Sequence, residues 1–176
     1  MLSHSNNKGF TLTEMLLVTT IVTGGGAGVY TNAKNKAYEV ACQSNLKQFN
    51  TALELFIMDN GTLPSAKFFP EKPDEDPQSL KQILLPYGMS GPMWTCPAAS
   101  DKLRETGLTY VWNDECNNKT RDGVPSADKA WLITDMNAVT DKVSPAHGEG
   151  YNVLYADGHI ARSDTIRDEI KNPKAE

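Results

Sequence analysis

The chain has 176 residues, a formal net charge of −5 and a hydrophobic content of 39%. This length suffices for one domain plus an anchor, and a mean hydropathy of −0.45 predicts that most of the chain is soluble. Acidic and basic residues are mixed along the sequence without the basic patch of a nucleic-acid-binding protein, so we expect no nucleic-acid partner. The three cysteines, Cys42, Cys96 and Cys116, form no CxxC pair, which argues against a zinc site of the usual spacing.

The first predicted element is an apolar helix. Residues 10–30 contain no Lys, Arg or Asp, and about 20 such residues span a bilayer. One acid, Glu14, lies inside this run, although a bilayer core disfavours a carboxylate by about 2.5–3.5 kcal/mol. A secretory signal peptide and a buried helix of a soluble protein are alternatives. Glu14 argues against the signal peptide, and the lack of a good N-cap apart from Asn7 argues against the buried helix.

The stretch KGFTLTE, residues 8–14, resembles the processing site of type IV prepilins and type II secretion pseudopilins. The resemblance implies that a prepilin peptidase cuts after Gly9, that Phe10 becomes the methylated N-terminus, and that Glu14 is the fifth mature residue. The new α-amine and Glu14 then carry opposite charges at a helical spacing of four. We expect this pair to form between neighbouring subunits, because a buried pair is tolerable where either charge alone is costly.

Four glycines weaken the middle of the predicted helix: Gly24, Gly25, Gly26 and Gly28. Each costs about 1 kcal/mol relative to alanine. They are consistent with close helix packing through small residues. They are equally consistent with a stretch that unwinds on assembly, as helices in filaments of this family do.

The second half of the predicted helix has one apolar face. This seam consists of Cys42, Leu46, Phe49, Leu53 and Phe56, at steps of four and three. We expect it to lie in a domain core, with a coiled-coil partner as the alternative. Cys42 is then a buried free thiol. The helix is predicted from about residue 11 to residue 58, with Gly61 at its C-terminal stop.

An irregular connection is expected over residues 63–77, which are rich in proline. A short helix follows, with Asp76 or Ser79 as its cap and Pro86 and Gly88 at its end.

The rest of the chain predicts an antiparallel sheet of about four short strands. Three stretches rich in aromatic and β-branched residues are residues 107–113, 130–135 and 151–156. Asp157-Gly158 predicts a type I′ hairpin to the fourth strand. We expect one face of the sheet to pack on the apolar seam of the helix.

Cys96 and Cys116 flank the first predicted strand. If the domain lies outside the cytoplasmic membrane, a disulfide between them is plausible, and it would stabilise the fold by about 3 kcal/mol. Two free thiols are the alternative.

The stretch HGEGYNVLYADGH, residues 147–159, resembles a C-terminal His-x9-Asp-Gly pattern of pilin-like proteins, formed here by His147, Asp157 and Gly158. A structural role is one interpretation, in which the turn explains Asp157-Gly158 and His147 bonds the hairpin or a strand end. A calcium site is the other, with Asp135 and Asp157 as candidate ligands and Asp141 or backbone carbonyls as further ones, although calcium prefers six to eight oxygens.

No catalytic motif such as HExxH, GxSxG or a glycine-rich phosphate loop is present in the sequence. We therefore expect no catalytic residue, no enzymatic activity and no cofactor apart from the calcium considered above.

The resemblance implies a pilin-like α+β fold, in which a long N-terminal helix packs on a small antiparallel sheet. It divides the chain into a leader (1–9), a transmembrane assembly helix (10–30), an amphipathic half-helix (31–60) and a C-terminal α+β domain (61–176).

The function implied is that of a structural subunit, a pseudopilin, of a type II secretion pseudopilus or related type IV pilus-like fibre. It would cross the inner membrane once, with its C-terminal domain in the periplasm or outside the cell. Its partners would be the prepilin peptidase, copies of itself, other pseudopilins, the inner-membrane assembly platform and the lipid bilayer. The alternatives are a metal-binding or enzymatic domain on a prepilin-type anchor, and a surface pilin for adhesion or DNA uptake.

Overall fold

The computed structural model describes residues 11–140, 142–148 and 150–171, with the backbone alone for Met15 and residues 17–29. These residues form an α+β structure, as the sequence predicts, with one long helix and a four-stranded antiparallel sheet. The chain divides into two compact units, Met1–Asn35 and Lys36–Glu176.

Helix α1 covers Leu12–Asn60 and is continuous through the glycines at 24–28. The predicted bounds are therefore confirmed to within two residues. Its C-terminal stop is also confirmed, since Gly61 has a φ of +79° and its N–H donates to the carbonyl of Ile57 at 2.7 Å. Within the described residues, no helix combines the length and the hydropathy needed to cross a bilayer.

The N-terminus of α1 is closed by a capping box. Thr11 Oγ1 accepts from the Glu14 N–H at 3.3 Å, and Glu14 Oε2 accepts from the Thr11 N–H at 2.8 Å. Two backbone donors that a helix end leaves without partners are thereby satisfied. The prediction that this helix lacks a good N-cap is wrong, because Thr11 and Glu14 provide one three residues apart.

The apolar seam of α1 lies in the core of the second unit, as predicted. Four of its side chains, Cys42, Leu46, Phe49 and Leu53, are fully buried, and Phe56 packs at the core's edge. Phe49 makes edge-to-face contacts with Trp94 and Tyr110, with ring centroids 5.5 Å and 5.2 Å apart. Burying a side chain of this size contributes about 1.5–3 kcal/mol, so the seam is a major source of stability.

The sheet is an antiparallel meander in the order β1-β2-β3-β4. Its strands are β1 (Tyr110–Trp112), β2 (Trp131–Asp135), β3 (Tyr151–Tyr155) and β4 (Ile160–Ser163). Tyr110 pairs with Asp135, and Leu154 pairs with Ile160. Leu154 belongs to the same core as the seam of α1, whereas Tyr151 and Val153 pack with Ile166 in a smaller cluster. The prediction that one face packs on the helix is confirmed.

The β3–β4 hairpin differs from the predicted type I′ turn. The Tyr155 N–H donates to the carbonyl of His159 at 3.0 Å, so the loop has three residues, 156–158. Gly158 has a φ of +93°, but Asp157 does not have the positive φ that a type I′ turn requires. The reason lies in tertiary hydrogen bonds, because the N–H groups of Ala156 and Asp157 donate to the carbonyls of Ala130 and Ala127.

Besides five 3-10 turns, the described residues contain three further short α-helices: α2 (Leu80–Leu84), α3 (Asp101–Arg104) and α4 (Ile166–Lys171). Ser79 caps α2 by accepting from the Lys81 N–H at 3.2 Å. The 3-10 turn that follows α2 ends at Gly88, which has a φ of +87°. The predicted short helix and its end are confirmed, with Ser79 rather than Asp76 as the cap.

Candidate functional site

Four buried polar side chains meet at one point of the second unit. They are Cys42, Cys96, Asp135 and His147, and we call them the buried cluster. One ligand atom from each lies within 4.8 Å of the others. Their exposed fractions are 0%, 1%, 2% and 6%, respectively. The cluster is therefore an interior feature, closed by the packing of α1 against the sheet.

The two cysteines approach each other from α1 and from a loop. Cys42 belongs to the buried seam of α1, and Cys96 follows the 3-10 turn Gly91–Trp94. The backbone of Cys96 is fixed because its N–H donates to Thr109 Oγ1 at 2.6 Å. A disulfide joins Cys42 and Cys96, whose Cα atoms are 5.2 Å apart.

This pairing overturns two predictions. Cys42 is buried as expected but is not a free thiol, and the expected Cys96–Cys116 disulfide does not form. Cys96 comes before strand β1 and Cys116 after it, so the extended strand separates them. Cys116 remains a buried thiol, and desolvation raises its pKa to about 11.

Asp135 is the last residue of β2 and pairs with Tyr110 of β1. Both carboxylate oxygens are buried, and no described residue gives them a hydrogen bond of ordinary geometry. Burial raises the pKa of Asp135 to about 7, and the nearby backbone amide of Asn152 opposes this shift only in part. Among the described residues, no basic side chain forms an ion pair with Asp135. An ionised carboxylate in such surroundings costs several kcal/mol.

His147 lies in the segment before β3 and forms an isolated bridge with Gly150. Its Nε2 atom is 3.2 Å from Cys96 Sγ, and its Nδ1 atom is buried with no hydrogen-bond partner in the part of the chain that the structure describes. Its carbonyl accepts from the Arg162 guanidinium, which fixes the backbone. Burial lowers the pKa of His147, although Glu39 opposes the shift. The neutral imidazole, which is the form that binds metals, is therefore favoured.

The proposed calcium ligands do not converge. Asp135 ends β2 and Asp157 follows β3, but these neighbouring strands are antiparallel, so the two residues lie at opposite ends of the sheet. Asp157 instead accepts from the His159 N–H at 3.0 Å. The expected convergence of Asp135 and Asp157 is therefore wrong, whereas calcium binding itself stays a prediction. Asp141 lies outside the described residues.

The His-x9-Asp-Gly pattern does not form one site either. His147 precedes β3 and Asp157 follows it, so the strand separates them. Gly158 serves the hairpin through its positive φ, which confirms the structural interpretation of Asp157-Gly158. The prediction that His147 bonds the hairpin or a strand end is confirmed for its backbone carbonyl, which accepts from Arg162 of β4. Its ring instead faces Cys96 in the buried cluster.

The predicted processing site lies at the edge of the described chain. Gly9 and Phe10 fall outside the described residues, so cleavage and methylation there stay predictions. Glu14 is exposed in the first turn of α1, and its Oε2 also accepts from Thr11 Oγ1 at 2.9 Å.

The pairing of Cys42 with Cys96 and the approach of Asp135 to His147 were not predicted. The signal in the sequence was Cys42 itself, because a cysteine on a buried helix face must contact the segments that pack on that face.

Comparison of the chain with protein-family models, with curated proteins and with solved structures finds no match.

Proposed function

We propose that the chain is a structural subunit of a type II secretion pseudopilus or a related type IV pilus-like fibre. The observation that carries this proposal is the stretch KGFTLTE placed directly at the start of a continuous helix of 49 residues. In this proposal the subunit crosses the inner membrane once and is cut by the prepilin peptidase after Gly9. It then assembles with copies of itself and other pseudopilins on an inner-membrane platform, and it acts by assembly without catalysis.

The exposed apolar side chains near the start of α1 support assembly through this helix. Leu12 and Leu16 are 84% and 65% exposed, which gives the first turns of the helix apolar surface for contact with lipid or with other helices. The seam from Cys42 to Leu53, in contrast, is already covered by its own domain. The two parts of α1 are thus suited to different partners.

Glu14 has two roles in this proposal. Its bond to the Thr11 N–H caps the helix, and this cap survives cleavage because both residues belong to the mature chain. Its negative charge also pairs with the Phe10 α-amine of a neighbouring subunit. A variant that keeps the hydrogen-bond acceptor and removes the charge separates these two roles.

Processing is tested by mass spectrometry of the chain recovered from membranes of cells that contain a prepilin peptidase. We expect an N-terminal peptide that begins with N-methylated Phe10, and we expect Gly9→Val to block its formation. An intact Lys8-Gly9-Phe10 sequence in the wild-type protein contradicts the proposal.

Assembly is tested with Glu14→Gln and its matched control Thr11→Ala. Glutamine preserves the capping box but leaves the neighbour's amine without its anion, and an unpaired buried charge costs about 3–5 kcal/mol. We expect Glu14→Gln to be processed normally and to yield at least tenfold fewer fibres. Thr11→Ala weakens the cap by about 0.5–2 kcal/mol and should still assemble. If Glu14→Gln assembles as well as the wild type, the charge pair is not the assembly contact.

A further inference from the structure

We infer that Cys42, Cys96, Asp135 and His147 bind one transition-metal ion, with Zn²⁺ as the preferred metal, when the two cysteines are thiols. The Cys42–Cys96 disulfide is the metal-free form of the same site. Two sulfurs, one imidazole nitrogen and one carboxylate oxygen supply the four ligands.

The first support is geometric. The four candidate ligand atoms all lie within 4.8 Å of one another. A tetrahedral Zn²⁺ with Zn–S distances of about 2.3 Å and Zn–N and Zn–O distances of about 2.0–2.2 Å holds its ligand atoms about 3.3–3.8 Å apart. The cluster is therefore close to the required dimensions, and the sulfurs separate once the bond between them is absent.

The second support is the set of buried groups that the disulfide leaves without partners. A disulfide needs neither an acid nor an imidazole beside it. Asp135 is 2% exposed, and within the described residues both of its oxygens lack a hydrogen-bond partner of ordinary geometry. Buried polar groups are nearly always satisfied, and each exception requires an explanation. A cation among the four side chains supplies the missing partner for the carboxylate.

The donor set selects the metal. Thiolate sulfur favours Zn²⁺ and other soft or borderline ions over calcium and magnesium, which prefer oxygen. Four protein ligands without an open position are typical of a structural rather than a catalytic zinc site. The burial of all four residues matches a closed site.

Metal binding by the thiol form is balanced in protons and charge. Zn²⁺ displaces the two thiol protons, together with the carboxyl proton wherever Asp135 is protonated, and takes two thiolates, a neutral imidazole and a carboxylate. Formation of the disulfide instead removes two protons and two electrons from the same thiols, which an oxidant of the disulfide class accepts. A water-soluble phosphine reverses this step and becomes the phosphine oxide, with water as the source of its oxygen and of the two protons.

This metal site does not depend on the proposed fibre function. All four residues belong to the unit Lys36–Glu176, and the processing motif at residues 8–14 contributes none of them. Loss of fibre assembly and loss of metal binding are thus measured by different variants.

The test uses the full chain in detergent micelles, reduced with the phosphine and titrated with Co²⁺ as a spectroscopic probe. We expect one equivalent of Co²⁺ to bind, with the intense visible bands of a tetrahedral ion and ultraviolet bands of thiolate-to-metal charge transfer. Zn²⁺ should displace it, and the disulfide form should show neither set of bands. If the reduced chain binds no Co²⁺ or Zn²⁺, or binds them without thiolate bands, the inference is overturned.

Two variants assign the other ligands. Asp135→Asn and His147→Gln should each weaken Zn²⁺ binding at least tenfold in the reduced chain. Cys116→Ala and Asp157→Asn are matched controls outside the buried cluster and should bind like the wild type. Circular dichroism of each disulfide form checks folding. If both ligand variants are folded and bind Zn²⁺ as tightly as the wild type, the assignment of Asp135 and His147 fails. The wild-type Co²⁺ spectrum remains decisive if either variant does not fold.

Discussion

At the scale of single residues, two carboxylates show how strongly nearby hydrogen-bond donors determine whether an acidic side chain is ionised. Glu14 is exposed and accepts hydrogen bonds from the backbone and the hydroxyl of Thr11. Asp135 is buried and accepts no hydrogen bond of ordinary geometry from the residues that the structure describes. The first acid stabilises the helix in its ionised form, whereas the second destabilises the metal-free fold when it ionises.

Asp135 gives a pH dependence whose sign follows from its raised pKa. In the metal-free disulfide form, the native state keeps this proton up to a pH of about 7, while the unfolded chain releases it near pH 4. Between about pH 4 and about pH 7 the native state therefore binds more protons than the unfolded chain. Asp135 thus lowers the free energy of unfolding as the pH rises through this range. We expect a loss of a few kcal/mol, measured by urea denaturation across this range in the presence of a chelator.

Asp135→Asn should flatten this profile and make the disulfide form more stable than the wild type above pH 7. Asp157→Asn is the control, because that carboxylate is partly exposed and bonded to His159. A wild-type profile that keeps its slope in Asp135→Asn would assign the effect to other groups. The same substitution weakens metal binding in the reduced chain, so its two effects have opposite signs.

At the scale of elements, the β3–β4 hairpin lies beside an arginine that is bonded to α1. Arg121 donates to Asn50 Oδ1 at 2.7 Å and pairs with Glu54 at 3.0 Å. Gly158 at the hairpin leaves room for this guanidinium, since a Cβ there would approach Arg121 Nη1 to 2.8 Å. The glycine therefore has a packing role as well as a conformational one.

Gly158→Ala tests this packing role against Gly61→Ala. Both glycines have positive φ, but a Cβ at Gly61 meets no described atom within 4 Å. Gly61→Ala pays only for the left-handed conformation, about 1–2 kcal/mol, and Gly158→Ala should cost about 1 kcal/mol more because it displaces Arg121. Chemical denaturation measures both. Equal costs for the two variants would show that the hairpin tolerates the displacement of the arginine.

The elements themselves were largely predictable because their signals are local. The steps of four and three from Cys42 to Phe56 predict the buried face, and the alternation of turn residues with β-branched residues predicts the strands. The type I′ turn was wrongly predicted because Ala156 and Asp157 bond residues 127 and 130, which are distant in sequence. Turn type in this hairpin is a tertiary property.

At the scale of the whole molecule, the buried cluster could not be predicted from spacing. Its members come from α1, a loop, the end of β2 and the segment before β3, and the two cysteines alone are 54 residues apart. No short motif contains these residues. The absence of a CxxC pair therefore excludes only a zinc site of the usual spacing, and not one whose ligands the fold brings together. Only the packing of the seam of α1 against the sheet brings these side chains together.

The disulfide should make the stability of the domain depend on redox state. It closes a long loop between α1 and the segment after the 3-10 turn Gly91–Trp94, and loss of a native bridge typically costs about 2–5 kcal/mol. We expect reduction in the presence of a chelator to lower the free energy of unfolding by this amount in the wild type and in Cys116→Ala. The combined variant Cys42→Ala and Cys96→Ala should show no effect of reduction. If Cys116→Ala instead abolished the redox dependence, the bridge would involve Cys116, and the pairing on which the buried cluster depends would be wrong.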